Sequence, residues 1–292
     1  SGAVGPELLA RAESYLAGVR QQPDLWQLCL QRFPESQYAE VRFWLLQSLH
    51  TVVSSQAYSA LGAAERGALH AALLRWVRAD CAQAGIPVFL KNKLAQVVSA
   101  AVAQDYPARW PGVFGELVGT LASGGGAGVD MVCRVLESLD EEVVYASRVL
   151  PGPGHKAARG RVVKDGMRET GDAAALVNAM WGVAGQCVTT QPPLAAAVLS
   201  AVKRSFHWVD IELSTSAVAT SALWAALGSP EPELRAAAAG CLTEVVRKPM
   251  RPAAKVALLR GLGVAEVCVK LAGWVSGGGG GAGGAAAAPG GG

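Results

Sequence analysis

The sequence is poor in aromatics, in charge and in cysteine pairs. Phe, Trp and Tyr make up 6% of 292 residues and the charged types 17%. Runs of β-branched residues are scarce, which argues against a sandwich or barrel on propensity grounds. The six cysteines, Cys29, Cys81, Cys133, Cys187, Cys241 and Cys268, stand singly in apolar helical patterns. With no C-x-x-C pair and no histidine at ligand spacing, they read as buried free thiols rather than zinc ligands or a disulfide framework. Their near-even spacing exceeds the length of a helical-pair repeat and marks no period.

Long apolar runs are missing too. The longest uncharged stretch, Ala173 to Val202, is broken by Asn178, Gln186, Thr189, Thr190, Gln191, Pro192 and Pro193, so neither half supplies the ~20 apolar residues of a membrane helix. The N-terminus, Ser-Gly-Ala-Val-Gly-Pro, has no basic region ahead of an apolar stretch, so no signal peptide or lipidation site is expected; the lack of an initiator Met fits a fragment. His50, His70, His155 and His207 lie far apart, none beside a cysteine or paired carboxylates. No catalytic residues, no metal site and no cofactor are therefore expected. Ser123 to Gly128 has the glycine content of a phosphate cradle but neither a G-K-[ST] ending nor a preceding strand, and reads as a flexible loop. Asp140-Glu141-Glu142 reads as a solvated acidic run.

What is present is alanine and leucine at helical spacing, within an apolar fraction of 51% that can bury a core. The periodicity predicts helices from Pro6 to about Arg20, from Pro23-Asp24 onward (Leu25, Leu28, Cys29), and from Ser36 to Ser55 (Val41, Trp44, Leu45, Leu49, Val52). Further helices are predicted over Ala63 to Ala84, Pro87 to Gln104, Trp110 to Leu121 and Val129 to Val144. After a Pro/Gly break at Leu150 to Gly154, one long helix is predicted from Ala157 to Val188, with a kink or break at Gly182 or Gly185. Pro192 to Trp208, Ser216 to Leu227, Glu231 to Arg247 and Pro252 to Gly261 complete the set. Gly277 to Gly292 can bury nothing and is expected to be disordered. The class is all-α. Pairs of roughly 40 to 47 residues suit HEAT or armadillo repeats, with a closed helical bundle as the alternative. Trp44, Trp76, Leu94 and Leu139 are expected between the pairs.

The net charge of +3 is too small to argue for nucleic acid by itself. Between Ser147 and Thr170, however, Arg148, Lys156, Arg159, Arg161, Lys164 and Arg168 face only Asp165 and Glu169, a local charge of +4 that exceeds the whole chain's. On a helix Arg161, Lys164 and Arg168 form one stripe, the geometry a phosphate backbone requires; a solvated face paired internally through Asp165 is the alternative. Arg247, Lys248, Arg251 and Lys255 form a second, less specific group at a helix end.

Lys91-Asn92-Lys93-Leu94-Ala95-Gln96, followed by Asp105-Tyr106-Pro107-Ala108-Arg109-Trp110-Pro111, resembles the N-K-L-A-Q and Y-P-x-x-W-P signature of exportins in the karyopherin-β family. Arg161-Val-Val-Lys164-Asp165-Gly-Met167-Arg168-Glu169, and Leu234-Arg235 through Cys241-Leu242, Glu244, Lys248 and Met250 to Lys255, are similar to the tRNA-exporting, exportin-T branch. Trp208-Val-Asp210-Ile-Glu212-Leu fits the same pattern.

The resemblance implies a HEAT-repeat superhelical solenoid, with residues 1–276 its N-terminal region: Ran-binding repeats at about 6–122, further repeats at about 129–276, and the Gly/Ala tail at 277–292. It implies a nuclear export receptor, not an enzyme, that binds mature tRNA cooperatively with Ran-GTP in the nucleus. Both would be released in the cytoplasm after GTP hydrolysis, and the receptor would shuttle through the pore by contacts with nuclear pore proteins, without membrane insertion. Ran contacts are implied on Asp24 to Phe33, Ala64 to Ala84 and Arg109 to Leu121, through Gln27, Gln31, Arg75, Arg78 and Arg109. Arg161, Lys164 and Arg168 are the tRNA-contact candidates. A karyopherin for protein or other RNA cargo, and a HEAT scaffold outside transport, are the competing readings. The glycines at Ser123, the Pro-Gly-Pro-Gly at Pro151 and the tail depart from the family pattern.

Overall fold

Because apolar residues recur at helical spacing and no segment alternates, each segment can bury one stripe against another helix. The computed structural model describes residues 5–81, 83, 85–144, 155–266, 268 and 269, and among these there are helices and no strand. Arg148, the break at Leu150 to Gly154 and the tail from Gly277 lie outside the described residues. The elements in chain order are α1 (Pro6–Arg20), α2 (Leu25–Glu35), α3 (Ala39–Val53), α4 (Gln56–Ala60) and α5 (Ala63–Arg75), the last continued by a π turn at Trp76–Asp80. Next come α6 (Val88–Asp105), α7 (Val113–Ser123) and α8 (Gly125–Leu139), with a second π turn at Asp140–Val144. Then follow α9 (His155–Glu169), α10 (Asp172–Thr190), α11 (Pro192–Ser205), α12 (Ile211–Ser214), α13 (Ala217–Leu227), α14 (Pro232–Arg247) and α15 (Pro252–Gly261).

The chain divides into two compact units, Ser1–Val245 and Val246–Gly292. In the first, short connections pair α2 with α3, α7 with α8 and α10 with α11. The second members stack as one layer, α3 on α6 on α8 on α11, and Cys241 Sγ reaches the Leu199 carbonyl at 3.3 Å to add α14. The first members form the other layer. Phe33 of α2 meets Trp76 with ring centroids 4.1 Å apart, Arg78 pairs with Glu116 of α7, and α7 packs on α10 and α10 on α13. This two-layer stacking of helix pairs is the HEAT type, in which each pair buries its apolar face against its neighbours. In the second unit, Lys255 Nζ donates to the carbonyls of Val246 and Lys248 and so ties α15 to the preceding turn.

Trp76, Leu94 and Leu139 are buried as expected, whereas Trp44 is only half-buried and carries the Arg20 guanidinium 5.3 Å from its ring centroid. The buried stripe of α3 runs instead through Leu45, Leu46, Leu49 and Val53, and Val41 is exposed. Five cysteines are buried and free, but Cys268 is exposed. Cys29 and Cys187 sit in first members of pairs and Cys133 and Cys241 in second members, so their spacing follows no repeat.

Two glycine expectations are corrected. The segment from Ser123 to Gly128 is not a flexible loop: α8 starts at Gly125, and the turn takes only Gly124, where a Cβ would lie 2.7 Å from the Thr120 carbonyl oxygen, and Gly125, at φ 56. The helix expected from Ala157 to Val188 breaks at Gly171, at φ 81, and runs unbroken through Gly182 and Gly185. A left-handed residue with a Cβ costs roughly 1–2 kcal/mol, so the break falls where glycine meets polar Thr170 and Asp172. Accordingly Gly171→Ala destabilises by about 1 kcal/mol. A Cβ at Gly182 meets nothing within 4 Å, so Gly182→Ala stabilises by up to about 1 kcal/mol. Urea midpoints of the two variants check both signs.

Candidate functional site

The Asp-Tyr-Pro-x-Arg-Trp motif starts at the last residue of α6, where the Asp105 side chain is fully buried. A buried carboxylate needs partners for both oxygens. Tyr58 Oη donates to Oδ2 at 2.5 Å, His70 Nε2 lies 2.8 Å from the same atom, and Arg109 Nε donates to Oδ1 at 2.7 Å. Trp110 stacks on His70 with centroids 3.9 Å apart and planes 1° apart. Tyr106 faces the other way. Its hydroxyl donates to Asp172 Oδ2 at 2.8 Å and lies 2.9 Å from Thr170 Oγ1, while Gly166 of α9 is packed so closely that a Cβ would sit 3.0 Å from Tyr106 Cε1.

The exportin-like signature is thus an internal latch joining α4, α5 and α6 to the α9–α10 turn. Burial pushes the Tyr58 phenol well above its usual range, and Asp105 adds to the shift. Burial lowers His70, against the opposing pull of its hydrogen bond to Asp105. Tyr58 and His70 were absent from the sequence-level candidates; a histidine between Leu69 and Leu73 on a buried stripe was the only signal.

The N-K-L-A-Q residues form a second bridge, between α6 and α8. Lys91 Nζ donates to Asp130 Oδ2 at 3.1 Å, and Arg134 donates to Asp130 and to Asn92 Oδ1. Burial works to raise the Asp130 pKa, but hydrogen bonds from Arg134 and Lys91 outweigh it and hold the carboxyl below its ordinary value. Lys93 is buried and donates to Gln96 Oε1 at 3.1 Å; burial lowers its pKa while Glu142 opposes the shift.

The five Ran candidates fall on consecutive first-layer elements and the latch. Gln27 and Gln31 are exposed one turn apart on α2, and Arg75 is exposed at the end of α5. Arg78 is already engaged across the layer, donating to Thr120 Oγ1 at 3.2 Å and pairing with Glu116. Arg109 completes the Asp105 network with its side chain 45% exposed, and also donates to the Gln104 carbonyl.

On α9, Val163 and Met167 are buried and fix which side faces out. Arg161 is exposed and Lys164 half-buried. Burial lowers the Lys164 pKa, as does neighbouring Arg168, with Asp165 and Asp140 opposing. Arg168 pairs with Asp165 at 3.0 Å, donates to the Trp208 carbonyl and lies 5.7 Å from the Trp208 ring centroid. The three bases share a stripe but occupy three environments.

The family model for Exportin 1-like protein matches residues 87–242, from the start of α6 into α14. Exportin-T of Arabidopsis thaliana is 30% identical over 275 residues, covering 91% of this chain and 27% of the relative. Exportin-T of Oryza sativa subsp. japonica is 34% identical over 272 residues, with 91% and 27% covered, and that of Homo sapiens 28% over 256 residues, with 86% and 26% covered. The chain spans about a quarter of the length of the curated relatives it matches.

The latch generates two expectations. Arg109→Ala, which strips one partner from a buried carboxylate, costs about 1–3 kcal/mol in urea unfolding, whereas Gln31→Ala on exposed α2 stays within about 0.5 kcal/mol. Because His70 is depressed in the folded chain, the unfolded chain binds the extra proton below its ordinary pKa of about 6.5. Stability therefore falls as pH drops below that value, by at most about 1.4 kcal/mol per unit from this group. His70→Gln flattens that limb; an unaltered acid limb assigns the loss to other groups.

Proposed function

The chain belongs to the exportin family, and from that premise we propose that it is part of a nuclear export receptor that binds Ran-GTP and mature tRNA cooperatively in the nucleus. Both ligands leave in the cytoplasm after GTP hydrolysis, and the receptor shuttles through the pore by contact with nuclear pore proteins. The observation that carries this reading is the similarity to proteins named exportin-T along nine-tenths of the chain. The role is one of binding, not catalysis. No described helix is long and apolar enough to cross a membrane.

The physical fit supports it. Folded tRNA offers A-form backbone and 2′-hydroxyls rather than readable major-groove edges, so it is recognised by shape and phosphate position. Stacked helix pairs with dispersed bases suit such a ligand better than one dense basic patch. Arg161 and Lys164 are the phosphate contacts of this reading, and Arg168 acts mainly as an anchor between α9 and Trp208. On the Ran side, Gln27, Gln31 and Arg75 are exposed, and Arg78 and Arg109 act without leaving their ion pairs with Glu116 and Asp105.

The test is a titration of tRNA into the Ran-GTP-loaded chain over several salt concentrations. Each lost phosphate contact lowers the magnitude of the log K salt slope by about 0.7–0.9, so Arg161→Ala with Lys164→Ala lowers it by roughly 1.5 units. The effect is similar for different tRNAs, since phosphate contacts carry no sequence information. Helix content is retained, alanine being the better helix former. An unchanged slope returns these bases to the solvated surface, and equal binding of Ran-GTP and Ran-GDP overturns the Ran assignment.

A further inference from the structure

Helix α9 lies outside the pairing scheme, and its bases are distributed unevenly around it. Gly160, Val163, Gly166 and Met167 form its buried face. Arg159, one turn before Val163, and Lys164, one turn before Met167 and Arg168, flank that face on either side. Packed against α9 is the π turn Asp140–Val144, which opens with three consecutive carboxylates. Arg159 and Glu142 line one groove together with His50, Ser54 and Gln104, and Glu142 Oε2 lies 4.0 Å from His50 Nε2. Asp140, its side chain only 15% exposed, is close enough to act on the Lys164 charge and lies 3.6 Å from Arg204, while Glu141 meets Arg204 at 3.2 Å. Arg168 is spent on Trp208 and Asp165. Arg159 and Arg161 are both exposed, but Arg161 lies on the side of α9 opposite its buried face.

We infer that α9 is a self-masked basic helix: the acidic turn Asp140-Glu141-Glu142 occupies the flanks of α9 as an internal stand-in for phosphates, and RNA must displace it to engage Arg159 and Lys164. The inference rests on the reading of α9 as the tRNA-facing helix and adds its regulation. The carboxylates lower the affinity for any polyanion. They do so least for a rigid, densely charged one that engages Arg161 first and then several flanking bases together. Val163, Met167 and the packing of Gly166 on Tyr106 anchor the C-terminal half of the helix, so backbone opening is confined to the part before Val163, and Lys164 changes partner by moving its side chain alone.

Glu142→Gln in the 292-residue chain tests this, with Glu233→Gln on α14 as an exposed, charge-matched control. In hydrogen exchange without RNA, amides of residues 158–163 exchange about threefold faster in Glu142→Gln, and faster in the unaltered chain at about 0.5 M salt, where such pairs are screened. A tRNA transcript binds Glu142→Gln about three- to fivefold more tightly at about 0.1 M salt, the size expected for removing one partly exposed negative charge beside a basic group. Glu233→Gln changes affinity by less than about twofold. Unchanged exchange, or equal tightening in both variants, overturns the masking. Faster exchange with tRNA affinity untouched in both Glu142→Gln and Arg161→Ala retains the acidic clamp but overturns the assignment of α9 to tRNA, and with it the competition.

Discussion

One buried carboxylate organises the first half of the chain. Asp105 ends α6 with its side chain out of water, and an unpaired charge there would cost several kcal/mol. Tyr58, His70 and Arg109 supply the partners from three separate places, so satisfying the charge fixes α4, α5 and the turn after α6 relative to one another. The next residue, Tyr106, extends the constraint to the α9–α10 turn through Thr170 and Asp172. A motif of seven residues thereby ties successive helix pairs together, where apolar packing alone would tolerate sliding of one helix on another.

This places the exportin signature inside the stack. Its polar groups are engaged by intramolecular partners, as are those of the Lys91 to Gln96 bridge, and further exposed surface comes from less distinctive positions such as Gln27, Gln31 and Arg161. The same economy of charge appears on α9, where acidic and basic groups are set against each other within one unit. A chain of net charge +3 can then present local basic groups without becoming a general polyanion trap.

The helical class and most element positions were legible because the apolar period of 3.6 persists through each segment. The breaks were less so. Glycine at Gly125 and Gly171 turns the chain, while glycine at Gly182 and Gly185 does not, and only the backbone conformation distinguishes them. Trp44 was misjudged because an aromatic next to a buried stripe can cover its edge under an arginine instead of entering it. The signature was readable as a family mark, but its role was not: Tyr58 and His70 lie 47 and 35 residues from Asp105, and nothing local announces them. Likewise the stripe on α9 was visible in sequence, whereas the commitment of Arg168 to Trp208, 40 residues away, emerges only from the packing.

The claim that the Asp105 network is a cooperative latch, rather than a set of independent contacts, is tested most directly by a double-mutant cycle. Tyr58→Phe and Asp105→Asn are combined and their unfolding free energies measured in urea at neutral pH. The account predicts a coupling energy of about 1 kcal/mol or more, as for residues sharing one buried network. Additivity within about 0.3 kcal/mol, the behaviour of distant sites, would contradict it.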